Sequence, residues 1–170
     1  SDVEYADNSF AKAMKGAAQV LQADIGTRIC YAQAGSFDAH TNGIALQEGL
    51  LTDVSGGILD FYDDMKQAHK SEDVILFVFS EFGRRVKDNG NGTDHGSGGV
   101  AFVIGSQVNG GMYGEYPSIR EADQLDGDLH FNNDFRMTYT SILERWFGLD
   151  AAPIVNGRFE PMDFVANGNG

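Results

Sequence analysis

Two short clusters of carboxylate and imidazole, Asp38-Ala39-His40 and Thr93-Asp94-His95-Gly96, carry the side chains in this sequence best suited to chemistry. Carboxylate oxygen and neutral imidazole nitrogen together suit zinc, manganese or iron, and loops leaving neighbouring strands can bring them to one ion. Asp38 and His40 stand two apart, so an extended loop turns both toward one side. Asp94 and His95 are adjacent and need a bent backbone to do the same, a freedom that Gly92, Gly96, Gly98 and Gly99 supply. The spacing nominates Asp38, His40, Asp94 and His95 as metal ligands. Either cluster alone reads more readily as an aspartate capping a turn, and it is the pair that raises a metal site.

Glu81 follows directly on an apolar run, with Arg84 and Arg85 close behind it. A carboxylate there suits a further ligand or a partner to one, and an arginine fork suits phosphate or sulfate, so Glu81 and Arg84 are the candidate catalytic residues. The plainer alternative is a structural ion pair between Glu81 and Arg84, with Arg85 solvated. Ser80 as a nucleophile with His95 as its base is a weaker alternative, because Phe79-Ser80-Glu81-Phe82-Gly83 keeps only the second glycine of a nucleophile elbow. His69 reads as a surface residue near a helix end, and nothing in the spacing of His130 ties it to the site.

Helices and strands must position these groups. Over 7–23, Phe10, Met14, Ala17, Ala18 and Leu21 keep helical spacing, with Asp7 or Ser9 placed to cap and Gly26 to stop. A strand is expected from Thr27, with Cys30 as a small buried hydrophobe in the apolar run 27–34, and then the loop 35–43 that carries the first cluster. Leu51, Val54, Ile58, Phe61 and Met65 form the stripe of a second helix, which Gly56 and Gly57 either kink or let approach a sheet. The run 73–80 reads as a strand covered on both faces, so strand, helix and strand imply a right-handed parallel crossover. After it come a polar loop over 87–92, the second cluster, another strand at 100–104, a tight turn at Asn109-Gly110-Gly111, and a last helix over 133–147 with a frayed tail.

At 170 residues and 42% hydrophobic, the chain suits one domain with a sizeable core. Twelve basic against 25 acidic side chains leave a net charge of −13, which repels phosphate backbones and excludes nucleic acid as an expected partner. A small anionic ester remains compatible, since a metal and local arginines reverse the field inside a pocket. One cysteine permits no internal disulfide, and no apolar stretch reaches the roughly 18 residues of a membrane helix.

The run Phe79-Ser80-Glu81-Phe82-Gly83-Arg84-Arg85, followed by Asn89-Gly90-Asn91-Gly92-Thr93-Asp94-His95-Gly96, resembles the bacterial family called domain of unknown function 1501. Gly35-Ser36-Phe37-Asp38-Ala39-His40, Gly110-Gly111 before Tyr113-Gly114, and Asp126-Gly127-Asp128-Leu129 leading to Asn133-Asp134-Phe135-Arg136 extend the resemblance from about Phe10 to Leu149. That family is similar to the alkaline phosphatase and sulfatase superfamily. The resemblance implies an α/β three-layer sandwich with a mostly parallel sheet and helices on both faces, here as a single domain over 1–170 from the C-terminal part of a longer exported, periplasmic or cell-surface protein. It implies Asp38 and His40 as ligands of one metal with His95 completing the set; zinc or manganese is the leading ion and calcium a further one. Glu81 lies where the superfamily commonly has the aspartate of Ser-Asp-His-Gly and Phe82 where it has the histidine, which puts a second metal in question. Asp94-His95 as that Asp-His pair is a second register. The function implied is metal-dependent hydrolysis of a phosphate or sulfate ester, incomplete in this chain because the superfamily's nucleophile precedes it; the alternative is a non-catalytic, exported metal- or ligand-binding scaffold. The expected partners are a small anionic ester and either a second copy of the chain or a missing N-terminal part, with no membrane insertion.

Overall fold

The computed structural model describes residues 2–41 and 43–165. Of the tail expected to fray from Asn156 onward, 156–165 are described, with Phe164 and Val165 buried, and 166–170 lie outside the described residues. The chain divides into two compact units, Ser1–Val74 with Asn89–Gly92, and Ile75–Asp88 with Thr93–Gly170.

The first unit is built on helices α1 (Ser9–Gln22) and α2 (Gly43–Gln67), which pack on one another. Helix α1 starts at Asn8, whose side chain accepts the Ala11 N–H at 2.8 Å; Asp7, one of the two caps expected, pairs with Lys12 instead. Its stripe Ala11, Met14 and Ala18 is buried, as are Phe61 and Met65 of α2 and Val74 beyond it. Helix α2 runs unbroken through Gly56 and Gly57. Gly57 is there for a close approach, although to the neighbouring helix and not to a sheet: a Cβ on it would stand 2.8 Å from Cδ1 of Phe10. Asp64, 4% exposed, accepts hydrogen bonds from the Tyr5 hydroxyl at 2.9 Å and the Gln22 side chain at 2.7 Å, which joins the N-terminal segment and the end of α1 to α2.

The second unit begins as a nested antiparallel ribbon. Strand β1 (Leu76–Val78) pairs with β4 (Phe102–Ile104), and inside that pair β2 (Gly83–Asp88) pairs with β3 (Thr93–Gly96) across the turn that holds two Asn-Gly steps. Gly83 marks the joint, where a side chain would overlap the carbonyl of Gly98. Helix α3 (Phe135–Ser141), capped by Asp134, continues into a π-helical turn at Ile142–Trp146, and the short α4 (Ala152–Val155) follows. The buried residues here are Thr140, Ser141, Ala151, Phe164 and Val165. The Ser141 hydroxyl accepts the Met162 N–H at 2.6 Å, and the Asn109 N–H donates to the Phe164 carbonyl at 2.8 Å, holding the chain's late residues to the unit.

The three-layer sandwich with a mostly parallel sheet does not form. The fold is mixed α/β with two small antiparallel two-stranded sheets among the described residues. The expected crossover fails at its first strand. Residues 27–34 carry neither helix nor strand; Ile29 is 75% and Tyr31 76% exposed, and Cys30 is exposed where burial was expected. A strand is completed by hydrogen bonds to a neighbour, and none of the described strands pairs with this segment. The run 73–80 shortens to β1, whose one partner is antiparallel, and Phe79 at its end is 47% exposed and not covered on both faces.

Candidate functional site

In the first unit the site residues lie on the loop that enters α2. Ser36 adopts φ of 71°, a left-handed conformation uncommon for a residue with a Cβ. The Ala39 N–H then donates to the Phe37 carbonyl at 2.9 Å, closing a three-residue turn with Asp38 at its centre. This turn, and not the extended loop expected, brings the two side chains together: His40 Nε2 lies 3.1 Å from Asp38 Oδ1. Both residues are exposed. Asn42, part of the loop expected over 35–43, lies outside the described residues.

In the second unit the site residues lie on the inner ribbon. His95 on β3 is the cross-strand partner of Arg84 on β2. The imidazole stacks on the ring of Phe82, with centroids 3.6 Å apart and planes 10° from parallel. The Arg84 guanidinium carbon sits 5.2 Å from the Phe82 centroid, and its Nη1 donates to the Thr93 carbonyl at 2.7 Å, so one end of the guanidinium is tied to the strand that carries the histidine. Successive residues of a strand project to opposite faces. Asp94 therefore points away from the face that bears His95, and both lie within β3 where a bent loop was expected. Glu81 is exposed on the bend before β2, and the Ser80 hydroxyl donates to the Phe82 carbonyl at 3.0 Å.

Beyond β3, Asp128 accepts the Ser97 N–H at 3.0 Å, the Ser97 hydroxyl at 3.1 Å and the Leu129 N–H at 2.7 Å. Desolvation opposes ionisation of this carboxyl but is outweighed by those hydrogen bonds and by the Arg85 charge, and its pKa falls below the ordinary value. Arg85, read as solvated, thus acts electrostatically on Asp128. Gly96 fits because a side chain there would stand 2.5 Å from Asp128 Oδ1; its need is close approach, not a bend. A family model described as "Protein of unknown function (DUF1501)" matches residues 3–155. The chain belongs to the DUF1501 family. No curated protein and no solved structure matches it.

Two residues of this DUF1501 chain gain roles that spacing did not assign. Phe82, read as a gap in a ligand set, is the stacking partner of His95, and the Thr93 carbonyl is the anchor of Arg84. The available signal was the Asn-Gly turn between two short β-prone segments, which folds 82–84 against 93–96. His69 and His130 are exposed. Among the described residues no helix is long and apolar enough to cross a membrane.

Proposed function

We propose that Asp38 and His40 hold a divalent cation, with His95 the further ligand that the sequence motif implies, and that the protein uses it in hydrolysis of a phosphate or sulfate ester. The observation that carries this reading is the convergence of Asp38 Oδ1 and His40 Nε2 at 3.1 Å. Ligand bonds of about 2.0–2.1 Å in tetrahedral geometry separate neighbouring ligand atoms by roughly 3.3 Å, so this pair already has nearly the spacing of two ligands. The turn Asn89–Gly92 belongs to the first unit, and a Cβ on Gly92 would stand 2.7 Å from the His40 carbonyl oxygen.

The donor set tests which ion fits. One carboxylate and two imidazoles suit zinc or manganese, whereas calcium takes six to eight oxygens and is poorly served. A cation bound there supplies Lewis-acid polarisation of a phosphoryl or sulfuryl oxygen. Arg84 supplies a planar guanidinium, anchored through Nη1 on the Thr93 carbonyl, whose charge and geometry suit the anionic oxygens of the ester. Asp94, on the other face of β3, is left out of the set. The sequence motifs, similar to those of the alkaline phosphatase superfamily, support the ester class and an exported location.

A non-catalytic, cation-holding scaffold is the second reading. The commitment of the Ser80 hydroxyl to the Phe82 carbonyl favours it, because Ser80 is the serine that the sequence offered as a nucleophile with His95 as its base. Metal content by plasma mass spectrometry, on protein purified without a metal column, tests both readings. About one zinc or manganese per chain, lost in His95→Ala and His40→Ala, is expected; no metal in the wild type after incubation with either ion overturns the site. Chelator-sensitive hydrolysis of aryl phosphate or sulfate esters then separates enzyme from scaffold.

A further inference from the structure

Asparagine followed by glycine is the pair in this chain with a spontaneous chemistry that the proposed function leaves unused. The backbone nitrogen of the glycine attacks the asparagine side-chain amide, and the lack of a Cβ lets it approach. Seven such steps occur, four of them among the described residues: Asn89-Gly90, Asn91-Gly92, Asn109-Gly110 and Asn156-Gly157. The attack needs a mobile side-chain amide and an unengaged glycine N–H, and the fold withholds one or the other from three of the four. The Asn89 Oδ1 accepts the Asn91 N–H at 3.0 Å. The Asn109 side chain donates to the Asp163 carbonyl at 3.0 Å, and the Gly157 N–H donates to the Ala152 carbonyl at 3.1 Å. Asn91 is exposed, and among the described residues neither its side chain nor the Gly92 N–H makes a hydrogen bond.

We propose that Asn91 is a site of spontaneous deamidation, and that its isoaspartate product unseats the turn from the His40 backbone. The Gly92 nitrogen gives up its proton and bonds to Asn91 Cγ, and the side-chain amide nitrogen takes up a proton and leaves as ammonia, closing a succinimide ring. Water then opens the ring. Cleavage of the bond between the Gly92 nitrogen and Cγ leaves aspartate at position 91. Cleavage of the bond to the main-chain carbonyl carbon leaves isoaspartate, with the chain running through Cβ and Cγ. Amide and water thus become carboxylate and ammonium, with no oxidant or reductant. Isoaspartate lengthens the backbone by one atom, and the turn is already closely held: the Asn89 N–H donates to the Gly92 carbonyl at 2.9 Å, and a Cβ on Gly92 would stand 2.7 Å from the His40 carbonyl oxygen, both within the first unit. The added atom displaces Gly92 from both contacts, against the loop that carries Asp38 and His40. None of this requires a bound cation.

The test holds the full chain, wild type and Asn91→Gln, at mildly alkaline pH, folded and in urea. Peptide mass spectrometry follows each Asn-Gly step, and methylation by an isoaspartyl methyltransferase marks isoaspartate. Opening one hydrogen bond before the attack slows it by roughly two- to tenfold, so the folded chain should convert Asn91 ahead of Asn89, Asn109 and Asn156 by about that factor, and urea should erase the difference. Asn91→Gln should lose the early isoaspartate in the peptide that spans the turn. Isoaspartate-bearing protein, separated by ion exchange, should show displaced His40 and Thr41 amide resonances, whereas Asn91→Asp, which adds the charge without the extra atom, should leave them in place. Faster conversion of any of the other three steps in the folded chain, or the same ranking folded and in urea, would overturn the selection of Asn91. Unmoved His40 and Thr41 amides in the isoaspartate form, or an equal displacement in Asn91→Asp, would overturn the effect on the turn.

Discussion

Removing the Tyr5 hydroxyl is the sharpest test of how the first unit holds together. Asp64 is 4% exposed and accepts hydrogen bonds, among them one from Tyr5 at 2.9 Å and one from Gln22 at 2.7 Å. A hydrogen bond to a charged group contributes about 1.5–3 kcal/mol, and its loss leaves a desolvated carboxylate with one donor fewer. Tyr5 itself is only half-buried, so water recovers part of the loss and Tyr5→Phe should cost about 1–2 kcal/mol. For a unit of this size that corresponds to a fall of several degrees in melting temperature, roughly 4–8 °C per kcal/mol. Urea unfolding followed by helical circular dichroism measures it, and a change below about 0.5 kcal/mol would refute the network as a stabilising element. The pH dependence supplies an independent sign. Burial, the hydrogen bond to Asp64 and the charges of Asp64 and Asp60 all raise the Tyr5 phenol above its ordinary value. A folded-state pKa above the unfolded one contributes stability that is complete below about pH 10 and is lost as pH rises through the folded value. Wild-type protein should lose stability above that point more steeply than Tyr5→Phe, and parallel alkaline profiles would remove Tyr5 as the cause.

Gly56→Ala and Gly57→Ala should have opposite effects: a Cβ on Gly56 meets nothing within 4 Å, and one on Gly57 meets Phe10 at 2.8 Å. The first should gain about 0.5–1 kcal/mol in helix propensity and the second lose about 1–2 through overpacking, both read by urea unfolding. The Asp134 carboxyl, held down to about 2 by the side chain and then the backbone N–H of Arg136, should titrate near that value by carbon NMR. Its contribution to folding is present above about pH 4 and lost as pH falls toward the folded value, and Arg136→Ala should return the midpoint toward about 3.9. Gly83→Ala places a methyl on the Gly98 carbonyl, so cross-strand amide contacts between Arg84 and His95 should disappear from NMR spectra while α1 and α2 keep their helical signal. Retention of those contacts would show that the joint can yield.

The helices were legible in the sequence because their signal is local. Met14 and Ala18, or Phe61 and Met65, are one turn apart, and that spacing alone forecasts a shared buried face. The stripe misled where burial depends on a neighbour: Leu51, placed on the inner side by period, is 56% exposed. Apolar runs misled more. Periodicity says that 73–80 and 27–34 favour extended backbone, but not which segment completes their hydrogen bonds, and only β1 within the first run finds one. The π-helical turn at Ile142–Trp146, next to the buried Thr140 and Ser141, is likewise not announced by its sequence, which keeps ordinary helical spacing.

The candidate site divides along the same line. Asp38 and His40 were readable as a pair because a short turn decides their geometry, whereas the roles of Asp94, His95 and Phe82 depend on a register that sequence spacing leaves open. In a ribbon, a slip by one residue exchanges the two faces, so it would put Asp94 where His95 now stands against Phe82 and Arg84. That register is held by contacts around the strands: Gly83 on Gly98 at the joint, the Ser97–Asp128 hydrogen bonds beyond β3, and the Arg84 side chain on the Thr93 carbonyl. A slip breaks all three at once, and this explains why glycines and an aspartate with no ligand role cluster around the histidine that β3 carries. Phe82, which donates nothing to an ion, is fixed in the same register by its stack on the His95 imidazole.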